Sequence, residues 1–163
     1  MIFTFGNAAI DIDIEKTSAF YRSSRLITDN CSCDGCRNFL SGAPKLDREV
    51  LGFFQMLGID IRKPAELIAW CSEDHGESVH YGGWYHICGQ MISDTDCWTL
   101  QADQNGETHQ SLNENNFFAI TNHFSVGFTN TICLKDQAFP EPVAQMEILA
   151  HHFPWVLNAA NPF

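Results

Sequence analysis

The sequence pattern changes from helix to sheet at Val79-His-Tyr-Gly-Gly-Trp-Tyr-His-Ile-Cys-Gly-Gln-Met-Ile92. The aromatic and β-branched residues of this stretch predict one long strand, weakened or bulged where its glycines lie. Successive side chains of a strand point to opposite faces, so one face carries two histidines and a cysteine. The side chains that share this face are His80, Trp84, His86 and Cys88.

Further strands are predicted on both sides of this stretch. Near the N-terminus, Ile10, Ile12 and Ile14 alternate with acidic residues, which is typical of a half-buried strand. On the C-terminal side, polar segments separate apolar runs, and Asn105-Gly106 is a hairpin signal. The strand candidates cover residues 2–5, 9–14, 97–100, 117–121, 124–134 and 143–153.

The helices are predicted between residues 33 and 70. A short helix begins near Cys33, and a second runs over residues 45–57, where apolar residues lie at helical spacing. Residues 64–70 begin with a proline, which suits the first position of a helix. This segment is therefore predicted as a third helical segment of one turn or more. Residues 16–28 fit either another strand or an irregular segment.

These elements predict an α+β fold. The chain has 163 residues, of which 45% are hydrophobic, and this length suits one domain with a substantial core. The N-terminal strands and the C-terminal two-thirds are expected to form a mainly antiparallel sheet, separate from the two or three short helices. No segment has the composition of a linker, so residues 1–163 are expected to form a single domain.

The net charge of −11 is unevenly distributed along the chain. Through Lys63, eight lysines and arginines balance eight acidic residues, whereas after Pro64 only Lys135 faces twelve acidic residues. Such a charge disfavours nucleic acids and anionic membranes, because phosphate binding depends on lysine and arginine. It favours a basic protein partner, although a high net charge also serves solubility alone.

The N-terminal residues predict a cytoplasmic protein. Met1–Gly6 has no basic side chain, and acidic residues soon interrupt the apolar ones that follow, unlike in a signal peptide. No run approaches the roughly 18 apolar residues of a membrane span. Disulfides are rare in the cytoplasm, so clustered cysteines there more often hold a metal or perform redox chemistry.

Three of the seven cysteines lie within six positions, as Cys31-Ser-Cys33-Asp-Gly-Cys36. Asn30 or Ser32 can cap a helix whose first turn carries Cys33 and Cys36. Three thiolates at this spacing predict one tetrahedral Zn²⁺ site, although a second C-x-x-C pair is missing.

The fourth zinc ligand must therefore come from another part of the chain. His86 is the first candidate, because it lies beside Cys88 on one face of the predicted long strand. Cys88 itself is an alternative, and His75 in an acidic loop is the next choice. The predicted metal ligands are Cys31, Cys33, Cys36 and His86, with Cys88 or His75 as the alternative.

The cysteine cluster also fits two roles that need no metal. Cys33-Asp-Gly-Cys36 at a helix N-terminus is a redox motif, because the helix dipole and Arg37 lower a thiol pKa. The surrounding pattern lacks the βαβ unit of thioredoxin-like enzymes, however, and Asp29 and Asp34 oppose a thiolate. In the second of these roles the cysteines are small, semi-buried residues that pack in a turn.

Two weaker candidates involve aromatic side chains and histidines. Tyr81, Trp84 and Tyr85 lie beside two glycines and resemble an aromatic binding surface, although packing within a strand is the simpler interpretation. His151 and His152 are expected on opposite faces of the last strand. From a regular strand they therefore cannot both bind one ion.

Four motifs follow one another between Asp29 and Gly89. They are Cys31-Ser-Cys33-Asp-Gly-Cys36-Arg-Asn-Phe39, Leu57-Gly-Ile-Asp60, Lys63-Pro64 and Gly83-Trp-Tyr-His86. In this order they resemble a family of small, uncharacterised bacterial proteins that has no established activity. The resemblance implies a bacterial context and assigns no catalytic residue.

Two functional hypotheses follow. The first is a non-enzymatic cytosolic protein that binds a basic partner through its acidic half, with the cysteine cluster as a structural element that holds zinc. The alternative is a thiol- or metal-dependent enzyme that uses Cys33 or Cys36 with His86. The first is favoured, because the sequence contains no nucleotide-binding, hydrolase or metalloprotease motif.

Overall fold

The computed structural model describes residues 1–163 and contains nine strands and four α-helices. The strands are β1 (Ile2–Phe5), β2 (Ala8–Ile12), β3 (Glu66–Cys71), β4 (Ser78–Met91), β5 (Trp98–Ala102), β6 (Thr108–Leu112), β7 (Phe118–Thr121), β8 (Phe124–Thr129) and β9 (Val143–Pro154). The helices are α1 (Ile14–Ser23), α2 (Ile27–Asn30), α3 (Asp34–Gly42) and α4 (Arg48–Met56). The fold is α+β, as the sequence predicts.

Strand β4 is the centre of a seven-stranded sheet in which all the neighbouring strands are antiparallel. The order is β1-β2-β4-β9-β8-β7, with β3 also paired to β4. Because β4 has 14 residues, β3 and β2 can follow one another along one of its edges, while β9 covers the other. Strands β5 and β6 form a separate hairpin around Asn105-Gly106.

Two glycines allow β4 to take partners on this shared edge. A Cβ atom on Gly83 would lie 2.4 Å from the carbonyl oxygen of Glu66 in β3. A Cβ atom on Gly89 would lie 2.2 Å from the carbonyl oxygen of Asp11 in β2. The glycines therefore permit close backbone approach, which is one of the ordinary uses of glycine within a strand. The bulge in β4 lies instead between Val79 and Tyr81.

Aromatic residues join the helices to the sheet within a core of 30 buried residues. Phe54 of α4 packs against Tyr85 of β4 and Phe124 of β8, with ring centroids 5.0 and 5.9 Å apart. Phe39 of α3 packs against Tyr81 of β4 at 5.2 Å. Burial of each such side chain contributes about 1.5–3 kcal/mol, so these contacts hold α3 and α4 on the sheet.

Residues 14–30 form helices α1 and α2, and not the strand or irregular segment that the sequence suggested. Asp13 caps α1 by accepting a hydrogen bond from the backbone N–H of Lys16 at 3.0 Å. Thr17 and Tyr21, four residues apart, are the buried side chains of α1. Because only these two positions face the core, the helical apolar pattern is weak in the sequence.

The predicted helical turn at Pro64–Trp70 is wrong, because residues 66–71 form strand β3. The glycine-rich part of β4 offers an open edge there, and a short segment gains more hydrogen bonds by pairing than by forming one isolated turn. No helix is long and apolar enough to cross a lipid bilayer, and α1, the longest, has ten residues.

Candidate metal centre

The three clustered cysteines occupy the junction between α2 and α3. Cys31 ends α2, and its backbone N–H donates to the carbonyl oxygen of Ile27 at 3.0 Å. Cys33 is the N-cap of α3, and its Sγ accepts a hydrogen bond from the backbone N–H of Cys36 at 3.5 Å. Cap geometry and helix phase therefore turn the three side chains towards one point.

The three Sγ atoms lie within 4.8 Å of one another, and those of Cys31 and Cys33 are 3.3 Å apart. A zinc ion bound to thiolates at about 2.3 Å in a tetrahedron separates its sulfurs by about 3.8 Å. The Cys31–Cys33 spacing is about 0.5 Å shorter than this value, the other two do not exceed 4.8 Å, and all three thiols are free. The cluster can therefore close around one such ion by small side-chain rotations.

The cluster lies at the protein surface. Cys36 is buried, Cys31 is half-buried and Cys33 is exposed. An ion held by the three sulfurs would have protein on one side and solvent, or one further ligand, on the other. Such an open fourth position distinguishes a three-cysteine site from a closed four-cysteine site.

The surroundings of the three thiols shift their proton affinities in opposite directions. Hydrogen bonds from the Cys33 backbone, and then from the Cys33 and Cys36 side chains, lower the pKa of Cys31. Burial, followed by interactions with the other two thiols, raises the pKa of Cys36. Without a cation the cluster therefore resists full ionisation, because three adjacent thiolates repel one another. A bound divalent cation removes this obstacle.

Glu66 of β3 is an acidic residue near the cluster that the sequence did not indicate. Its negative charge opposes ionisation of Cys31, but its carboxylate does not belong to the group of ligand atoms within 4.8 Å of one another. One carboxylate oxygen, Oε1, accepts the backbone N–H of Leu67 at 3.0 Å, which leaves Oε2 without a hydrogen-bond donor. No spacing rule could have identified Glu66, since 30 residues separate it from Cys36 in the chain.

The structure places the other predicted ligands away from the three sulfurs, and none of them belongs to the group within 4.8 Å. The Nε2 atom of His86 lies 2.9 Å from the carbonyl oxygen of Cys133, and burial lowers the pKa of this histidine. The thiol of Cys88 is buried and donates to the carbonyl oxygen of Glu141 at 3.7 Å. His75 lies exposed in the loop between β3 and β4.

The three aromatic side chains suggested as a binding surface have different environments. Tyr81 and Tyr85 are fully buried, and their hydroxyls donate to the carbonyl oxygens of Gly35 and Ile61. Trp84 alone reaches the surface. Two of the three are therefore core residues, because they lie on the face of β4 that the helices cover.

A second cluster joins Glu73, His80 and His152, whose ligand atoms also lie within 4.8 Å of one another. The rings of His151 and His152 are 5.1 and 4.9 Å from that of His80, so both approach the same residue. The expectation of opposite faces fails here because His152 adopts a left-handed backbone, with φ of 51°, next to the bulge in β4.

Hydrogen bonding makes this second cluster a poor metal site. The Nδ1 atom of His80 accepts the backbone N–H of His152 at 3.1 Å. In the neutral ring, Nε2 then carries the proton, and it faces the carboxylate of Glu73 at 3.6 Å. His80 therefore has no free lone pair to offer a cation, whereas the cysteine cluster has three sulfur donors.

No family model, curated protein or solved structure matches this chain.

Proposed function

We propose that this protein is a non-enzymatic, acidic interaction protein of the bacterial cytoplasm, in which Cys31, Cys33 and Cys36 bind one zinc ion. The observation that carries the zinc proposal is the convergence of three sulfur atoms within 4.8 Å at the start of α3. The bacterial context rests on the family resemblance of the motifs between Asp29 and Gly89.

The proposed role of the zinc ion is structural. Helix α2 has only four residues and α3 has nine, so neither is stable by itself. An ion bound to residues 31–36 would link the end of α2 to the first turn of α3. Binding free energy at such a site contributes directly to folding.

We propose Glu66 as the fourth ligand. It extends from β3, which packs beside α3, and only Oε1 accepts a hydrogen bond. Its carboxylate lies outside the group of ligand atoms within 4.8 Å, so a side-chain rotation would have to bring Oε2 to the sulfurs. Coordination by Glu66 would also join the junction between α2 and α3 to the sheet. His86, the first candidate from the sequence, instead interacts with the Cys133 carbonyl.

The enzyme alternative has less support. A thiol nucleophile needs a lowered pKa or an adjacent base. Burial raises the pKa of Cys36, and the thiol with the lowered pKa is Cys31, which the enzyme alternative does not use. The group within reach of the three sulfurs contains no imidazole. Structural binding of a metal ion requires neither feature.

Exposed acidic residues support the proposal of a basic protein partner. Of the twelve acidic residues after Pro64, only Glu147 is buried. Eight of the others are exposed: Glu73, Glu77, Asp94, Asp103, Glu107, Glu114, Asp136 and Glu141. Fields of this kind steer oppositely charged proteins and weaken as ionic strength rises.

Elemental analysis of the purified, untagged protein tests the zinc proposal. We expect about one zinc per chain, retained through gel filtration and lost in Cys36→Ser. Cys71→Ser is the matched control, because Cys71 is an exposed cysteine of β3 outside the cluster. Equal zinc content in the two variants, or a metal-free wild-type protein after exposure to zinc, would contradict the proposal.

Capture from a bacterial lysate tests the partner proposal. Proteins retained on the immobilised chain are expected to be basic and to elute as salt rises above about 0.15 M, where the Debye length is roughly 8 Å. Retained proteins without a basic bias, or retention that does not respond to salt, would exclude a partner recognised by charge.

A further inference from the structure

The structure contains a cavity of about 730 Å³ on the side of α1 that faces the chain segment after β8. Its walls come from α1, from residues 63–65 and from residues 134–140. Its volume falls within the range of about 300–1,000 Å³ that is typical of small-molecule sites. His86, which does not belong to the cysteine cluster, forms part of its lining.

The lining is positively charged in a protein of net charge −11. Lys16, Arg25 and Lys63, three of the nine basic residues, face the cavity, whereas Asp136 is its only acidic residue. Lys16 and Lys63 also contact acids outside the lining, at 3.2 and 3.8 Å. Arg25 is exposed and forms no ion pair, so its guanidinium is free to bind an anion.

Apolar side chains line the rest of the cavity. They include Phe20 of α1, Pro64, Leu134 and Pro140. Phe20 also packs on Phe139, with ring centroids 4.5 Å apart, which connects the two walls. A ligand with a charged head and an apolar body matches this division of the surface.

Three side chains anchor the wall that carries Leu134. The carbonyl oxygen of Cys133 accepts hydrogen bonds from Trp84 Nε1 at 3.2 Å and from His86 Nε2 at 2.9 Å. The backbone N–H of Cys133 donates to Gln145 at 2.8 Å. These bonds hold Leu134 in a left-handed conformation, with φ of 50°, while its side chain is 68% exposed. Backbone strain of this kind is concentrated at functional sites, and Leu134 lies in the lining of the cavity.

We propose that this cavity binds a small organic anion with an apolar body, such as an aryl or alkyl carboxylate or sulfonate. Arg25 binds the anionic head, and Phe20 and Leu134 contact the apolar body. The lining contains none of the three clustered cysteines, so the proposal stands independently of zinc.

Fluorescence titration with anilinonaphthalene sulfonate, compared with the uncharged N-phenylnaphthylamine, tests the charge requirement. We expect one sulfonate bound per chain and an affinity at least fivefold weaker in Arg25→Gln. Lys45→Gln, a basic residue outside the cavity, is the control and should leave the affinity unchanged. Arg25→Gln should bind N-phenylnaphthylamine within twofold of the wild-type protein.

A variant in which the cavity is filled tests whether the probes bind there. Ala19→Trp places an indole in the cavity from an exposed position of α1, so the fold should persist, as far-UV circular dichroism can verify. We expect this variant to lose binding of both probes. Unchanged sulfonate affinity in the charge variant, an equal loss of both probes there, or full binding by Ala19→Trp would each overturn the proposal.

Discussion

The side-chain amide of Asn38 in α3 donates a hydrogen bond to the hydroxyl of Tyr81 in β4 at 3.2 Å. Asn38 is fully buried, and the same amide group also donates to the carbonyl oxygen of Pro154 at 3.1 Å. Its carbonyl oxygen accepts the backbone N–H of Val156 at 2.7 Å. One side chain thus ties the helix that carries the cysteines to β4 and to the end of β9.

Loss of this network should destabilise the protein strongly. Asn38→Ala leaves the Val156 N–H and the Pro154 carbonyl without their partner, so we expect the free energy of unfolding to fall by about 2–4 kcal/mol. Asn158→Ala at an exposed position should change it by less than about 0.5 kcal/mol. Urea denaturation measures both values. A similar small change in both variants would mean that water replaces the buried amide.

Zinc removal should destabilise the wild-type protein and leave Cys36→Ser unaffected. At free zinc about 100 times the dissociation constant, binding contributes about 2.7 kcal/mol, and a chelator removes that contribution. Thermal denaturation with and without chelator measures the change, and Cys71→Ser should respond as the wild-type protein does. A chelator effect of equal size in Cys36→Ser would place the metal elsewhere.

Zinc affinity should fall as the pH falls. The metal binds thiolates, and burial raises the pKa of Cys36, so protons compete with zinc throughout the neutral range. We therefore expect a loss of about tenfold or more in affinity for each pH unit below neutrality. Titration with a chromogenic chelator at several pH values tests this expectation, which pH-independent zinc release would contradict.

Glu66 offers a test of the fourth ligand. Glu66→Gln keeps the side-chain oxygen that accepts the Leu67 N–H but removes the charge, so we expect zinc affinity to fall at least about tenfold. Glu77→Gln removes an exposed acid from the loop after β3, outside both groups of candidate ligands, and serves as the control. If both variants bind zinc as tightly as the wild-type protein, the fourth position does not belong to Glu66.

Two glycine substitutions should have opposite effects. In Gly83→Ala the new methyl group would lie 2.4 Å from the Glu66 carbonyl, so we expect β3 and β4 to separate locally at a cost of about 2–3 kcal/mol. In Gly52→Ala nothing lies within 4 Å of the new methyl group in α4, and alanine should stabilise the helix by about 0.5–1 kcal/mol. Denaturation midpoints measure the direction of both changes in stability. Destabilisation by Gly52→Ala would show that α4 does not tolerate a methyl group at this position.

Glu147 should reduce stability at neutral pH. Burial raises its pKa in the folded protein, so its ionisation is less favourable there than in the unfolded chain. Stability from this group is complete below the unfolded pKa and decreases as the pH rises through the folded pKa. Glu147→Gln keeps an oxygen for Trp98 and Gln145 and should raise the free energy of unfolding at pH 7. Exposed Glu107→Gln should show no such gain.

Local patterns predicted the parts of the fold that depend on neighbours in the chain. The long strand, the hairpin at Asn105-Gly106 and the second helix follow from alternation, turn residues and helical spacing. The convergence of the three cysteines is local too, because a helix cap brings residues 31–36 together within two turns of backbone.

Contacts between distant parts of the chain account for the differences between the sequence-based predictions and the structure. Residues 66–71 became a strand because glycines in β4 leave an edge that accepts them. The left-handed conformation of His152 moved its ring to His80 and overturned the simple alternation of faces.

The sequence alone therefore determined the α+β class, the long strand and the grouping of the three cysteines, since each depends on residues close together in the chain. Only the tertiary structure decided that the long strand would lie at the centre of the sheet, that His86 would line a cavity, and that basic residues would gather there. Contacts between distant residues depend on which strand edges and helix faces meet, and no local spacing specifies that outcome.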